Sequence, residues 1–237
     1  MPQRIRVAPV LAAVSVLLAG GSAACSSGVT GTPGPADTRP TGTPAGPLAD
    51  LLPGPETFPP PYQVVVLPPP AVAQAAPDLT GIPPGARVDP AGCKPPAQDY
   101  GPDGTVMTVG TDAGNRATIT VELVRVATPL AELAAQLTEC PEVTATRGGV
   151  DATVTTVLAP PPPADADAVL ALRRTVTSGN GGQAVTQSML TLLGQIGDVR
   201  VQVTAMSFGG GPGSADPDTG TLDELFTATI LKVGAAR

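Results

Sequence analysis

The stretch Ala117-Thr118-Ile119-Thr120-Val121-Glu122-Leu123-Val124-Arg125-Val126 puts Ile119, Val121 and Leu123 at every second position. A period of two belongs to a β-strand with one buried face; a helix would repeat its apolar positions every three or four residues. Just upstream, residues 105–109 form a second strand-like run, and Asp112-Ala113-Gly114-Asn115 separates the two. Asp, Gly and Asn favour tight turns, so the pair reads as a hairpin. Further out, residues 150–158, 169–177, 184–193 and 199–206 are rich in Val, Thr and Leu and are joined by Pro, Gly and Asn loops. The last three read as a meander, with turns at Ser178-Gly179-Asn180-Gly181-Gly182 and at residues 194–198. On the N-terminal side, Tyr62-Gln63-Val64-Val65-Val66-Leu67 is a short strand stopped by Pro68-Pro69-Pro70.

Helical signals lie between and after these strands. Residues 71–79 form a weak helix. Thr128-Pro129 opens a clearer one: Thr128 offers a capping oxygen, Pro129 sits where its missing N–H costs nothing, and Leu130, Leu133, Ala134 and Leu137 form an apolar stripe. Cys140-Pro141 ends it. A last helix begins with Thr221 and Glu224 in capping-box spacing and carries Leu222, Leu225, Phe226 and Val233 on its apolar face. This order predicts an α+β fold, an antiparallel β-sheet with helices packed on one face, in a single domain over residues 50–237.

The N-terminal part has different chemistry. Arg4 and Arg6 precede an apolar run at residues 7–18 and the small residues Gly20, Gly21, Ser22, Ala23 and Ala24, the three-part layout of a signal peptide over residues 1–24. The apolar run is shorter than the about 20 residues a membrane-spanning helix needs. Ser22-Ala23-Ala24-Cys25 resembles a bacterial lipobox, in which the cysteine is acylated on sulfur and becomes the new N-terminus. The place three before the cysteine, usually Leu, Val or Ile, is Ser22 here. Residues 25–49 are rich in Pro, Gly and Thr, which prevents a packed core and makes a semi-extended tether. About 185 residues then remain, the size of one ordinary domain.

Composition narrows the chemistry. The chain has no histidine, so neutral-imidazole proton transfer and any Ser-His-Asp or Cys-His mechanism are excluded. Loss of Arg4 and Arg6 with the signal takes the formal charge from −7 to near −9 with only two lysines, Lys94 and Lys232, which argues against nucleic acid. With Cys25 assigned to the lipid, one cysteine pair is left, and export predicts that Cys93 and Cys140 form a disulfide. A metal site lacks histidine and a second cysteine pair, and no cofactor motif is read. Gly209-Gly210-Gly211-Pro212-Gly213 lacks the Lys-Ser/Thr of a phosphate loop. Asp218-Thr219-Gly220 matches an aspartic-protease tripeptide but occurs once and follows a Pro/Gly run, so it reads as a loop before a helix, and the acids Asp216, Asp218, Asp223 and Glu224 fail the EF-hand pattern.

Two arginines stand out. Neighbours on a strand point to opposite faces, so one of Arg173 and Arg174 points inward. Leu170, Leu172 and Val176 share the face of Arg174, and Ile119, Val121 and Leu123 share that of Arg125. An inward arginine needs a carboxylate or a ligand anion. Arg174, and after it Arg125, are therefore the candidate ligand-binding residues.

The whole resembles the exported lipoproteins of mycobacteria and their actinobacterial relatives. Val88-Asp89-Pro90-Ala91-Gly92-Cys93, Glu139-Cys140-Pro141 and Leu172-Arg173-Arg174-Thr175 look like an uncharacterised lipoprotein domain of those bacteria. They are also loosely similar to the extracellular sensor domains of mycobacterial receptor Ser/Thr kinases, which tend to have a second cysteine pair. The resemblance implies a disulfide-bearing α+β fold that binds a ligand. The expectation is a non-catalytic, sensor-like module, lipid-anchored through Cys25 on the extracytoplasmic face of the cell membrane, with an envelope lipid or protein as partner. The alternative is a carboxylate-based extracytoplasmic hydrolase. Mass spectrometry of the membrane fraction is expected to show a diacylglyceryl group on Cys25, and Cys25→Ala to release the domain or block processing without unfolding it. Unmodified protein recovered only from the medium would contradict this.

Overall fold

The computed structural model describes residues 42–179, 184–209 and 219–237, all within one compact unit that runs from Arg39 to Arg237. Nine strands form one sheet: β1 (Gln63–Val66), β2 (Arg87–Asp89), β3 (Thr105–Asp112), β4 (Ala117–Arg125), β5 (Glu142–Arg147), β6 (Val150–Ala159), β7 (Ala168–Ser178), β8 (Val185–Ile196) and β9 (Val199–Phe208). Their spatial order is β1-β3-β4-β9-β8-β7-β6-β5-β2, and every neighbouring pair is antiparallel. The helices are α1 (Leu48–Leu51), α2 (Pro69–Ala75), α3 (Leu130–Glu139) and α4 (Thr219–Gly234). Strand β8 is the central strand of the nine, and β9 lies between it, its hairpin partner, and β4, which comes from much earlier in the chain.

The α+β class and the antiparallel sheet are as the sequence indicated, but the helices lie on both faces. On one face Ile119, Val121 and Leu123 join Val199, Val201, Val203, Leu190 and Leu192 beneath α4, which contributes Leu222, Leu225, Phe226, Ile230 and Val233. On the other face Leu170, Leu172 and Leu193 pack under Leu130, Leu133 and Leu137 of α3, and Met107, Met189 and Met206 pack under Val72 of α2. The reason is in β8: Leu190, Leu192 and Leu193 are consecutive or near-consecutive apolar residues, so both of its faces need a cover.

The turn expected at residues 112–115 is present. Asp112 shapes the β3–β4 turn by accepting hydrogen bonds at Oδ1 from the backbone N–H of Gly114 (3.0 Å) and Asn115 (3.2 Å). Other details differ. Pro129, not Thr128, is the N-cap of α3, without a side-chain cap, and the Thr128 carbonyl instead accepts a bond from Arg200 Nη2 at 2.8 Å. Thr221 lies within the first turn of α4 rather than at a cap. Gly194, expected in a turn, belongs to β8, which continues to Ile196. Its missing side chain makes room for α4, since a Cβ there would stand 2.4 Å from Ile230 Cδ1; the turn falls instead at Gly197, φ 59°. Strands β2 and β5 have no counterpart in the sequence reading.

The boundary of the tether also moves. Leu48, assigned by composition to the tether, is 1 % exposed in the core under α4. Ala45 N–H donates to Ala236 O at 2.8 Å, and Lys232 Nζ donates to Leu52 O. An apolar helix with an uncovered flank captures an adjacent leucine even from a Pro/Gly-rich stretch. Cys25 and the rest of residues 1–41 lie outside the described residues, as do Asp216 and Asp218. No described helix is long and apolar enough to cross a membrane.

Cys93 and Cys140 are bonded, with Cα atoms 5.7 Å apart and 47 residues of separation. The bond ties the C-terminus of α3 to the loop after β2. Closing a loop of this length removes roughly 4 kcal/mol of chain entropy from the unfolded state. Reduction is therefore expected to lower the urea midpoint by a corresponding amount with the folded circular-dichroism spectrum kept at zero denaturant; equal midpoints with and without reductant would contradict it.

Candidate functional site

The two apolar clusters on the α2/α3 face do not meet. Leu79, Val143 and Val154 belong to one, and Leu133, Leu137, Leu172 and Leu193 to the other. Between them is a cavity of about 630 Å³, floored by β4, β9, β8, β7 and β6 and walled by α3, by residues 76–82 and by the loop at residues 93–99. The disulfide forms part of the wall. The size is that of a small-ligand site, and the lining mixes an apolar majority with a few polar groups, as such sites do.

Arg174 lies on this floor, on the face it shares with Leu172 and Val176. Antiparallel register sets it opposite Thr156 of β6 and Met189 of β8. Its Nη1 donates to Leu79 O at 2.7 Å and its Nε to Thr156 Oγ1 at 3.2 Å. Neither partner is charged, and no described carboxylate pairs with it. Desolvation pushes its pKa down to about 10, so it remains a cation at neutral pH. A desolvated charge held only by neutral groups is costly, and an anion entering the cavity would offset that cost.

Arg125 is placed otherwise. Its Nη1 donates to both oxygens of Asp198, at 3.1 and 2.9 Å, and its Nη2 to Gly46 O at 2.9 Å. The charge is matched by a local carboxylate, and the residue closes the strand end and holds the segment before α1. Arg125 reaches the same cavity at the β4 end, but its guanidinium is committed to Asp198 and Gly46, whereas that of Arg174 has no charged partner.

Two other charged residues are on the floor, and the sequence reading passed over both. Glu122 is 3 % exposed. Gln98 Nε2 donates to its Oε1 at 2.7 Å and to Thr105 Oγ1 at 3.1 Å, which fastens the roofing loop to β4 and β3. Burial raises the Glu122 carboxyl to about 7, against the smaller lowering effects of Gln98 and of the Arg200 charge. Burial and then the Glu122 charge raise the nearby Tyr100 phenol. Arg200 is 9 % exposed, bonded through Nη2 to Thr128 O (2.8 Å), with Gln195 Oε1 at 3.5 Å. Desolvation lowers its pKa while Glu122 raises it. Between the charged ends lie Thr191 and Thr204, whose hydroxyls share a hydrogen bond at 3.0 Å.

The signal that would have found Glu122 and Arg200 is pairing. On β4 the residues Thr118, Thr120, Glu122 and Val124, and on β9 Arg200, Gln202, Thr204 and Met206, alternate away from the α4 face, and register sets Glu122 against Gln202 and Thr120 against Thr204. One strand alone makes such a row look solvent-facing; two adjacent rows beneath a roof make a polar floor. Among the described residues no three Cys, Asp or Glu side chains come together as a metal would require.

Comparison with known proteins places the chain in a family. The sequence profile of a domain of unknown function, DUF5642, matches residues 53–233, and the chain belongs to that family. A crystal structure of an uncharacterized Mycobacterium smegmatis protein, the Rv0999 ortholog, aligns at 19% identity and TM-score 0.45 over 76% of this chain and 92% of the other. The extracellular domain of PknH from Mycobacterium tuberculosis aligns at 14% identity and TM-score 0.39 over 73% and 78%. No curated protein sequence matches the chain.

The Glu122 carboxyl has a defined pH consequence. Its proton is held more tightly in the folded state, at about 7, than in the unfolded chain, where the ordinary value is 4.5. The folded state thus binds more protons between these values, and stability falls as pH rises through that window, by up to about 3 kcal/mol. Glu122→Gln keeps an acceptor for Gln98 and removes the titration. Urea unfolding at pH 5 and pH 8 should show the loss in the native chain and a much flatter response in the variant; parallel pH profiles would contradict the assignment.

Proposed function

We propose that this DUF5642 chain is a non-catalytic binding module, tethered through a lipid on Cys25 to the extracytoplasmic face of a bacterial cell membrane, that holds an anionic amphiphile in the cavity under α3. The observation that carries this reading is Arg174: a desolvated guanidinium on a cavity floor, bonded to Leu79 O and Thr156 Oγ1 and to no described carboxylate. Its neighbours supply the apolar half of the match. Leu79, Leu133, Leu137, Val143, Val154 and Leu172 line the same cavity, and apolar surface of this kind favours hydrocarbon at about 25 cal/mol per Å² buried. The Pro/Gly/Thr tether places the domain within reach of membrane lipid.

Gentle extraction from the native membrane followed by lipid mass spectrometry is expected to find an acidic lipid retained by the chain. Arg174→Met, with its fold checked by circular dichroism, should weaken retention roughly tenfold to a hundredfold, the range for loss of charge-assisted hydrogen bonds. Retention unchanged in the variant, or no lipid on the native chain, overturns the reading. Turnover of an ester, peptide or glycan that is lost with Glu122→Gln would replace it with the carboxylate-based hydrolase.

A further inference from the structure

The far end of the cavity is not built for a hydrocarbon tail. On β9, the position in register with Arg174 through Met189 is Met206, and Arg200 is six residues further along that strand and two strands across. At about 3.3 Å per residue and about 4.8 Å per strand, the two arginines stand on the order of 20 Å apart. Leu172, Thr191 and Leu193 lie on the floor between them. At the Arg200 end are Glu122, Gln202 and Gln98, all of which line the same cavity. Arg200 is nine-tenths buried, and its Nε–H has no hydrogen-bond partner among the described residues.

A methyl group placed there would leave that donor unpaired, with the full desolvation cost of a buried polar group. A second anion would fit less well than a neutral oxygen. Glu122 stands diagonally across from Arg200 on the adjacent strand and lines the same end of the cavity, so the cation at this end is opposed, whereas Arg174 has no such counter-charge. Gln98 is already committed to Glu122 and Thr105, which leaves the Arg200 N–H and the Gln202 amide to meet the ligand. We propose that Arg200 and Gln202 form a second polar subsite, and that the ligand is an elongated amphiphile with an acid group at one end and a neutral oxygen, a hydroxyl or ester carbonyl, near the other.

The proposal rests on the anionic-amphiphile reading above and deepens it, and its test separates the two. Hexadecanoic acid and its counterpart with a hydroxyl on the terminal carbon would be titrated below their micelle-forming concentrations into the purified full chain, followed by calorimetry. The expected result is that both bind and that the hydroxy acid binds at least tenfold more tightly. Arg200→Met should abolish that advantage while hexadecanoic acid binds within about twofold of its original affinity, and Arg174→Met should weaken both acids alike. Equal affinities of the two acids for the native chain overturn the second subsite and leave the Arg174 reading in place; this comparison needs no variant. A preference for the hydroxy acid that survives in a folded Arg200→Met also overturns it. Failure of both acids to bind the native chain removes the amphiphile reading and this proposal with it.

Discussion

The structure depends on the long-range pairing of β4 with β9. Each strand alternates between residues of different chemistry, and their register aligns like with like: Val121 meets Val203, Thr120 meets Thr204, and Glu122 meets Gln202. Val121, Val201 and Val203 are fully buried beneath α4, and that burial fixes which face is which, since a slip of one residue would turn every apolar side chain outward. Once the apolar rows are committed to α4, the polar rows are committed to the opposite face. The cavity floor is thus a geometric consequence of the main core.

A polar floor would be unremarkable if water covered it. Here α3, the roofing loop and residues 76–82 cover it, so Glu122 and Arg200 are buried and Arg174 is half-buried, without forming a close ion pair with one another. Burying a charge costs several kcal/mol even after relaxation, and well-packed apolar residues at such positions are often as stable or more so. Stability alone is a poor account of three such groups on one cavity. The surface pair Arg125–Asp198, about one-third exposed on each side, is the contrasting case: it is solvated, screened and worth little. The reading proposed above accounts for them, since a matching group that arrived in the cavity would offset the cost of desolvation.

How much of this was readable follows the range of the interactions. The hairpin around Asp112, the apolar stripe of α3 and the face shared by Leu170, Leu172, Arg174 and Val176 are set by residues a few positions apart, and each is legible in the chain. So was the Cys93–Cys140 pair, because few cysteines leave few choices. Strands β2 and β5 were not: Arg87-Val88-Asp89 is three residues long, and Glu142 to Arg147 carries only Val143 and Ala145 inward. Each becomes a strand because a partner already stands beside it, a tertiary effect that overrides weak propensity. Gly194 misled for the same reason, since a glycine that makes room for Ile230 looks like a glycine that makes a turn. Arg174 could be proposed from one strand, but Arg200 and Glu122 required knowing that β4 and β9 are neighbours and that something lies above them.

The roof is the least regular part of the site, and side chains fasten it. Residues 93–99 have no strand or helix beyond the short turn ending at Cys93, so their backbone contributes few of its own hydrogen bonds to hold them over the floor. Attachments made by side chains take that role. The disulfide fixes one end to α3; Gln136 Nε2 donates to Lys94 O at 3.0 Å; and Gln98 reaches down to Glu122 and Thr105. The last of these differs in kind, because it ends on a cavity group whose charge depends on pH and on what lies beside it. Glu122 lines the cavity beside Arg200 and is at the same time the anchor of the loop that covers the floor. An apolar residue of the same size in place of Glu122 would leave Gln98 Nε2 only Thr105 Oγ1 as a partner and would release the loop from β4, a role that only the buried acid fills.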